Sequence, residues 1–273
     1  MKKDELSRYS RNILLSEVGR AGQERLSSSR VTVVGAGGLG SPLLYYLVAA
    51  GVGHIKCIED DTVSLTNLQR QILYATDDVG KLKSAVAEQR LHQLNPNIDL
   101  QFINERLNPQ NGLQILNKTD LVLDGSDNFA TRFLVNDICQ LNHLPLISGG
   151  ILRFYGMLLG VLPQETSCYR CIFEHQPEPG SVPSCSAAGV IGAIAGTIGS
   201  LMAAEAIKYL VGMKPNIMGN LIRIDLKTME FRITELPKNP NCGYCKQRID
   251  FNPNHVDYLD NQCAVPFSID NLK

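Results

Sequence analysis

The sequence predicts an α/β fold built on a Rossmann-like, mostly parallel sheet with helices on both faces. Three observations lead there. Short β-branched runs alternate with segments of helical spacing through the first half of the chain. A glycine-rich turn, Gly35-Ala36-Gly37-Gly38-Leu39-Gly40, separates the first strand-like run from a helix-like one. The second half loses this alternation and closes on two adjacent strand-like runs, which predicts an antiparallel extension.

Taken in order, the first strand is Arg30-Val31-Thr32-Val33-Val34-Gly35. Leu43 to Ala50 reads as a helix closed by Gly51. His54 to Ile58 is the second strand and runs into Glu59-Asp60-Asp61. Between Lys81 and Leu94, apolar residues at 82, 86, 87, 91 and 94 have helical spacing, and Asn95-Pro96 ends the helix. Ile98 to Ile103 alternates as a strand, and Leu121 to Leu123 is a buried one. Phe129 to Leu141 is helical, and Leu146-Ile147 opens another strand. Parallel neighbours of this kind require right-handed crossovers. Beyond them, Tyr155 to Leu162 reads as a strand and Gln164 to Ser186 as a long loop. Leu221 to Leu226 and Glu230 to Leu236 form the antiparallel pair. The expected organisation is a single domain over residues 1–245, with a nucleotide-binding half of about 1–150 and a second half of about 151–245. The polar segment 246–273 is expected to be a loosely held tail.

Composition narrows the function. The 273 residues carry a net charge of −1, which gives no electrostatic case for nucleic acid or an anionic membrane. Met1 to Gln23 is polar and charged, without the apolar stretch of a secretory leader, so a cytoplasmic location is expected. Ala187 to Ala204 contains no charge and has Gly192 and Gly196 at GxxxG spacing, which raises the question of a membrane span. Its Gly and Ala content, with Glu205 and Lys208 directly after it, favours a buried helix at a subunit interface instead.

Eight cysteines need an account in a chain without a leader, where disulfides are a poor default. Four form two knuckles, Cys168-Tyr169-Arg170-Cys171 and Cys242-Gly243-Tyr244-Cys245. Two Cys-x-x-Cys pairs read as one tetrahedral zinc site. Four thiolates leave no open coordination position, so such a metal is a structural staple between a mid-chain loop and the C-terminal region. The competing reading is a redox dithiol beside an incidental pair. His175 lies close by in sequence and reads as a surface residue.

The glycine turn permits close backbone approach to phosphates, and the following helix offers free N–H groups and partial positive charge. Glu59 ends the next strand, where it can accept from ribose hydroxyls. These features specify a nucleotide without saying which. Three more move the reading toward phosphate chemistry. A polar loop, Asp61 to Gln71, follows the second strand at the ligand-binding edge, and its Arg70 can pair with a triphosphate. Lys83 opens a helix and adds a second positive charge. Asp127, in Asp124-Gly125-Ser126-Asp127-Asn128 after a core strand, can hold a magnesium ion. A nicotinamide-dependent oxidoreductase would use the glycine turn and Glu59 but leave Arg70, Lys83, Asp127 and the cysteine staple idle. A zinc-stapled scaffold that only docks a partner predicts the same fold without ATP turnover.

These motifs, in this order, resemble the bacterial adenylyltransferases related to ubiquitin-activating enzymes, the ThiF/MoeB/HesA family. The carrying stretches are Arg8-Tyr9-Ser10-Arg11, the glycine turn, Asn67-Leu68-Gln69-Arg70-Gln71, Ser126-Asp127-Asn128, both cysteine knuckles and Ala188-Gly189-Val190. The match runs from Leu6 to about Cys245. It implies ATP-dependent adenylation of the C-terminal Gly-Gly carboxylate of a small ubiquitin-like sulfur carrier protein, with release of pyrophosphate. The nucleotide site it implies comprises Gly35, Gly37, Gly38, Gly40, Glu59, Asp61, Asn67, Gln69, Arg70, Lys83, Asp127 and Asn128. Arg70, Lys83 and Asp127 would act in catalysis, and Asp127 would hold the magnesium ion. Arg11 would reach the ATP site of the other subunit of a homodimer. Cys185 would join the carrier covalently, and residues 151–245 would bind the carrier and the zinc. With no sulfurtransferase-like segment following, the sulfur donor would be a separate sulfurtransferase or cysteine desulfurase. Pro183-Ser184-Cys185 stands closer to the molybdopterin branch, so molybdenum cofactor synthesis is favoured over thiamine thiazole synthesis. One departure is Gly156-Met157, where several relatives carry Gly-Gln, in a corner of the carrier groove.

Overall fold

The computed structural model describes residues 3–177, 188–245 and 252–258. The chain enters through three short helices, α1 (Lys3–Arg8), α2 (Ser10–Ile13) and α3 (Gly19–Ser28), and then builds one eight-stranded sheet. Its parallel part comprises β1 (Arg30–Val34), β2 (His54–Ile58), β3 (Asp99–Ile103), β4 (Leu121–Asp124) and β5 (Leu146–Leu152). Crossovers run through α4 (Gly40–Ala50), α5 (Lys83–Leu94), α6 (Pro109–Ile115) and α7 (Phe129–Leu141). The sheet continues antiparallel through β6 (Tyr155–Val161), β7 (Asn220–Asp225) and β8 (Glu230–Glu235). Between β6 and β7 lie α8 (Tyr169–Ile172) and the long α9 (Gly192–Leu210). The strand order is β3-β2-β1-β4-β5-β6-β7-β8. The expected parallel sheet and its antiparallel extension are both present, in one continuous sheet.

Alternation along the central strands feeds two cores. Val31 and Val33 of β1 face one side and Val34 the other; Leu121 and Leu123 of β4 likewise oppose Val122. The first core is closed by α3, α4, α5 and α9, and the second by α6, α7 and the turn of α8. Burial of β1 and β4 on both faces explains why these strands read as nearly continuous apolar runs, whereas His54 and Lys56 of β2 remain partly exposed.

Several boundaries differ from the sequence reading, each for a local reason. α4 begins at Gly40 rather than Leu43, because the end of the glycine turn is already the first turn of the helix. α5 begins at Lys83 rather than Lys81: Leu82 is extended and bridges back to Thr62. α9 begins at Gly192 because Val190 pairs with Arg153 as an isolated bridge. The helix then buries Ile194, Ala195, Ile198, Met202 and Ala206 against α4 and β5. Among the described residues, no helix is long and apolar enough to cross a membrane. The supposed loop after Leu162 contains α8, whose backbone is held by α7.

Candidate active site

The carboxyl ends of β1, β2 and β4 open into one cavity of about 560 Å³, the edge at which open α/β sheets bind ligands. The glycine turn forms its floor. Gly35 has φ of 89°, in the left-handed region. A Cβ at Gly40 would collide with the Gly35 carbonyl oxygen, so Gly40 closes the turn against its own start. Gly35, Gly37 and Gly38 line the cavity, whereas Gly40 does not. Gly40 packs against the start of the turn. Tyr74 braces the turn by donating its hydroxyl to the Ala36 carbonyl at 3.0 Å.

At the β2 end, Glu59 is buried and accepts from the backbone N–H of Ala36 (2.8 Å) and of Asp61 (3.1 Å). Burial pushes its carboxyl above the usual range, and the charge of Lys83 opposes that only in part. Lys83, 3% exposed at the first position of α5, donates Nζ to Asp61 Oδ2 at 2.6 Å. Burial raises Asp61 too, but its hydrogen bond with Lys83 and the lysine charge outweigh this and hold it below the ordinary value. On the opposite rim, Arg70 donates Nη2 to Asn67 Oδ1 (3.0 Å) and Nη1 to the Thr66 carbonyl (3.3 Å). At the β4 end, Asp127 is exposed to the cavity. Asn128 also lines it, but its Oδ1 accepts from Thr131 N–H at 2.8 Å and caps α7.

Gln69 and Arg11 do not line the cavity. Gln69 turns away from the cavity, donates Nε2 to the Val190 carbonyl at 3.5 Å and abuts Gly192 through its own carbonyl. It braces the start of α9. Arg11 is exposed on α2 and does not line the cavity of its own chain. Cys185 lies outside the described residues, as does most of the segment 246–273. Sequence reasoning missed Asp60, Gln71, Arg106 and Arg132, all of which line the cavity. Arg132 had a signal: it is the one cation in a helix whose residues are buried from Phe129 to Gln140.

The second constellation is the cysteine cluster. Cys168 Sγ lies 3.9 Å from Cys171 Sγ and 3.8 Å from Cys242 Sγ, and Cys171 Sγ lies 3.3 Å from Cys245 Sγ. All four sulfurs fall within 4.8 Å of one another. A tetrahedron with Zn–S bonds of about 2.3 Å has edges of about 3.8 Å, so the donor set fits zinc in number, type and spacing. Hydrogen bonds from Cys168 hold Cys171 and Cys242 below the ordinary thiol value, while the same sharing of protons pushes Cys168 well above it, and contact with Cys171 together with burial raises Cys245 to about 12. The knuckle is anchored to α7. Arg170 donates Nε and Nη2 to the two carboxylate oxygens of Asp137, each at 2.7 Å, and its guanidinium lies between the rings of Phe133 and Tyr244. Asn136 accepts from the Tyr169 N–H at 2.9 Å, and Tyr258 donates to Asp137 at 2.9 Å. Sequence reasoning saw the four thiols but not this buried ion pair.

A glycine turn, two basic side chains and a free carboxylate on one cavity, with a four-thiol staple behind it, agree with what sequence comparison finds. Residues 9–244 match the ThiF family. The chain belongs to that family. It is 48% identical over 249 residues to the sulfur carrier protein adenylyltransferase of Thermus thermophilus, covering 89% of this chain and 92% of that one. It is 41% identical over 261 residues to the SAMP-activating enzyme E1 of Haloferax volcanii, covering 96% of each. Among solved structures, E. coli MccB with ATP superposes with a TM-score of 0.77 at 25% identity, covering 88% of this chain and 74% of that one.

Proposed function

We propose that this ThiF-family chain uses ATP to adenylate the C-terminal glycine carboxylate of a small ubiquitin-like sulfur carrier protein, releasing pyrophosphate. The observation that carries the reading is the convergence of Arg70, Lys83 and Asp127 on the cavity floored by the glycine turn. Hydride transfer has no use for that charge set; phosphate transfer does. The 48% identity to a protein named for sulfur carrier adenylylation supplies the substrate class.

The glycine turn and the amide end of α4 cradle the phosphates, and Glu59 receives the ribose hydroxyls. Asn67 and Arg70 meet the triphosphate from the rim, and Lys83, with its charge balanced by Asp61, meets it from beneath. Asp127 is the residue that would hold magnesium, a hard cation suited to an exposed carboxylate. When bound, magnesium neutralises charge on the departing pyrophosphate. A carboxylate oxygen of the carrier forms a bond to the α-phosphorus, and the bond from that phosphorus to the bridging oxygen breaks with its electron pair leaving on pyrophosphate. No side chain need act as a covalent nucleophile; the residues orient the reactants and stabilise charge.

Cys168, Cys171, Cys242 and Cys245 hold one structural zinc ion, and residues 151–245 form the carrier-binding half. Arg11 completes the site of a partner subunit in a homodimer. A separate sulfurtransferase or cysteine desulfurase then supplies sulfur to the acyl-adenylate, in molybdenum cofactor synthesis before thiamine thiazole synthesis, in the cytoplasm. The test is ATP–pyrophosphate exchange with purified carriers ending in Gly-Gly. Exchange that depends on the carrier supports the reading, and its absence with every carrier of both pathways refutes it.

A further inference from the structure

Arg132 carries a charge in the cavity wall that the steps above do not use. Its side chain is 2% exposed. Nη2 donates to the Ser126 carbonyl at 2.7 Å, while Nε and Nη1 have no partner of good geometry, the buried Tyr169 hydroxyl beside the guanidinium being its other neighbouring oxygen. Asp124, the buried carboxylate at the end of β4, is no ion-pair partner, because its oxygens accept from Ser126 and Ser148. A buried guanidinium in that state is strongly unfavourable unless oxygen ligands arrive to pair with it. The fold nonetheless makes room for it. A Cβ at Gly150 would lie 2.8 Å from Nη1 and 3.0 Å from Met157 Cγ, so the absence of a side chain there leaves an alcove between α7 and β5.

We propose that Arg132 binds the C-terminal carboxylate of the carrier and aims it at the α-phosphorus, an inference that rests on the adenylation reading. Strand order gives the direction. Glu59, Asp61 and Lys83 stand at the β2 end, β1 carries the glycine turn, and Arg132 stands on the far side, toward β4 and β5. Displacement at phosphorus keeps the attacking and leaving oxygens roughly in line. A nucleotide with its ribose at Glu59 leaves the β4–β5 side open to the incoming group. Nη1, on the edge away from Nε–H, can give one charge-assisted hydrogen bond to a carboxylate oxygen. As one oxygen bonds to phosphorus and pyrophosphate departs with the electron pair, the other becomes the carbonyl oxygen that Arg132 retains. No proton or electron moves to the arginine.

The test uses Arg132→Met, Arg132→Lys and Gly150→Ala, the last keeping the arginine but pushing its head aside. Pyrophosphate exchange gives kcat and KM for carrier and for ATP separately, direct titration gives ATP affinity, and thermal unfolding checks the fold. Removing one preorganised charge-assisted donor costs ~100-fold or more in transition-state stabilisation. Arg132→Met is therefore expected to lose about that much in kcat/KM for carrier, with ATP affinity within about two-fold of wild type. Arg132→Lys recovers part of the loss, and Gly150→Ala shares the carrier-specific defect. Unchanged carrier kinetics in Arg132→Met overturn the proposal. So does an equal fall in ATP affinity and thermal midpoint, which would reduce Arg132 to a support for Ser126. Wild-type protein that shows no carrier-dependent exchange defeats the adenylation reading instead, and does so before any variant is compared.

Discussion

Replacing Asp137 by Asn removes one partner of the most buried ion pair among the described residues. Asp137 is 0% exposed and Arg170 6%. Solvent screening, which reduces surface pairs to near nothing, therefore gives no relief here. Asparagine keeps the shape and one acceptor but leaves the guanidinium without a counter-charge between the rings of Phe133 and Tyr244. Breaking a buried pair in this way costs about 3–5 kcal/mol. At about 2–4 °C per kcal/mol for a domain of this size, the thermal midpoint should fall by about 6–20 °C. The loss should also reach the metal, because Arg170 stands inside the Cys168–Cys171 knuckle, and zinc should pass to a chelator faster than from wild type. Replacing both partners together, as Asp137→Leu with Arg170→Met, should cost less than Asp137→Asn alone, since no charge is stranded. The measurements are scanning calorimetry and a metal-release assay on all three proteins. A midpoint within about 2 °C of wild type for Asp137→Asn would show that water or rearrangement compensates the charge, and the anchoring argument would fail.

Asp127→Ala should abolish carrier-dependent pyrophosphate exchange while moving stability by no more than about 0.5 kcal/mol, as for an exposed side chain; wild-type rates in the variant would remove Asp127 from the mechanism. Arg11→Ala should be inactive, and mixing it with Asp127→Ala under subunit exchange should restore about a quarter of wild-type activity, because half the dimers then carry one complete site; no recovery counts against a trans role. Burial raises the Glu59 carboxyl, so the charged form that accepts ribose hydroxyls is lost on acidification before an ordinary carboxylate would titrate. ATP affinity should therefore weaken as pH falls toward that raised value, and Glu59→Gln should show weak affinity with the dependence gone. Because the folded value lies above the unfolded one, this group costs folding stability as pH rises through the same window. Purified protein should contain one zinc per chain, and Cys171→Ser or Cys245→Ser should lose metal and stability together; protein found free of zinc with an unchanged midpoint would refute the staple.

How much of this was legible depended on whether a feature is local in sequence. β2 and α7 have the boundaries read from the sequence, because uniform apolar spacing and a cap, Asn128, sit within one segment. The glycine turn was legible for the same reason. α6 was missed although Asn108 and Pro109 are a cap and a first-turn proline, since its apolar face is too short to show a period. Motif membership does not reveal the direction of Gln69: its neighbours Asn67 and Arg70 face the cavity, while it faces α9. The Asp137–Arg170 pair was invisible for a different reason. Its meaning depends on what the chain brings within hydrogen-bond reach from 33 residues away, and a charged residue in an apolar helix reads, without that, as a solvated one.

The position of the cysteine cluster follows from the same helix. Asn128 caps α7, Arg132 stands one turn on, and Asn136 holds the Tyr169 amide a further turn on. Residues spaced by four share a face, so one stripe of polar side chains runs from the nucleotide cavity to the thiol knuckle. The distance along the axis from Asn128 to Asp137 is only about 13 Å at 1.5 Å per residue. The N-terminal turn of this helix, which follows Asp127 directly and carries Arg132, is held by the Asn128 cap, by burial of Phe129 and by the bond from Arg132 to the Ser126 carbonyl. The other end is fixed by a bidentate ion pair and an edge-on ring contact, Phe133 to Tyr169 at 5.1 Å, both reaching residues that lie between Cys168 and Cys171. Four thiolates around a zinc ion would hold that knuckle rigid without adding any group that competes for the nucleotide. A metal bound by these four cysteines would therefore support the geometry of the candidate site even though none of them lines the cavity.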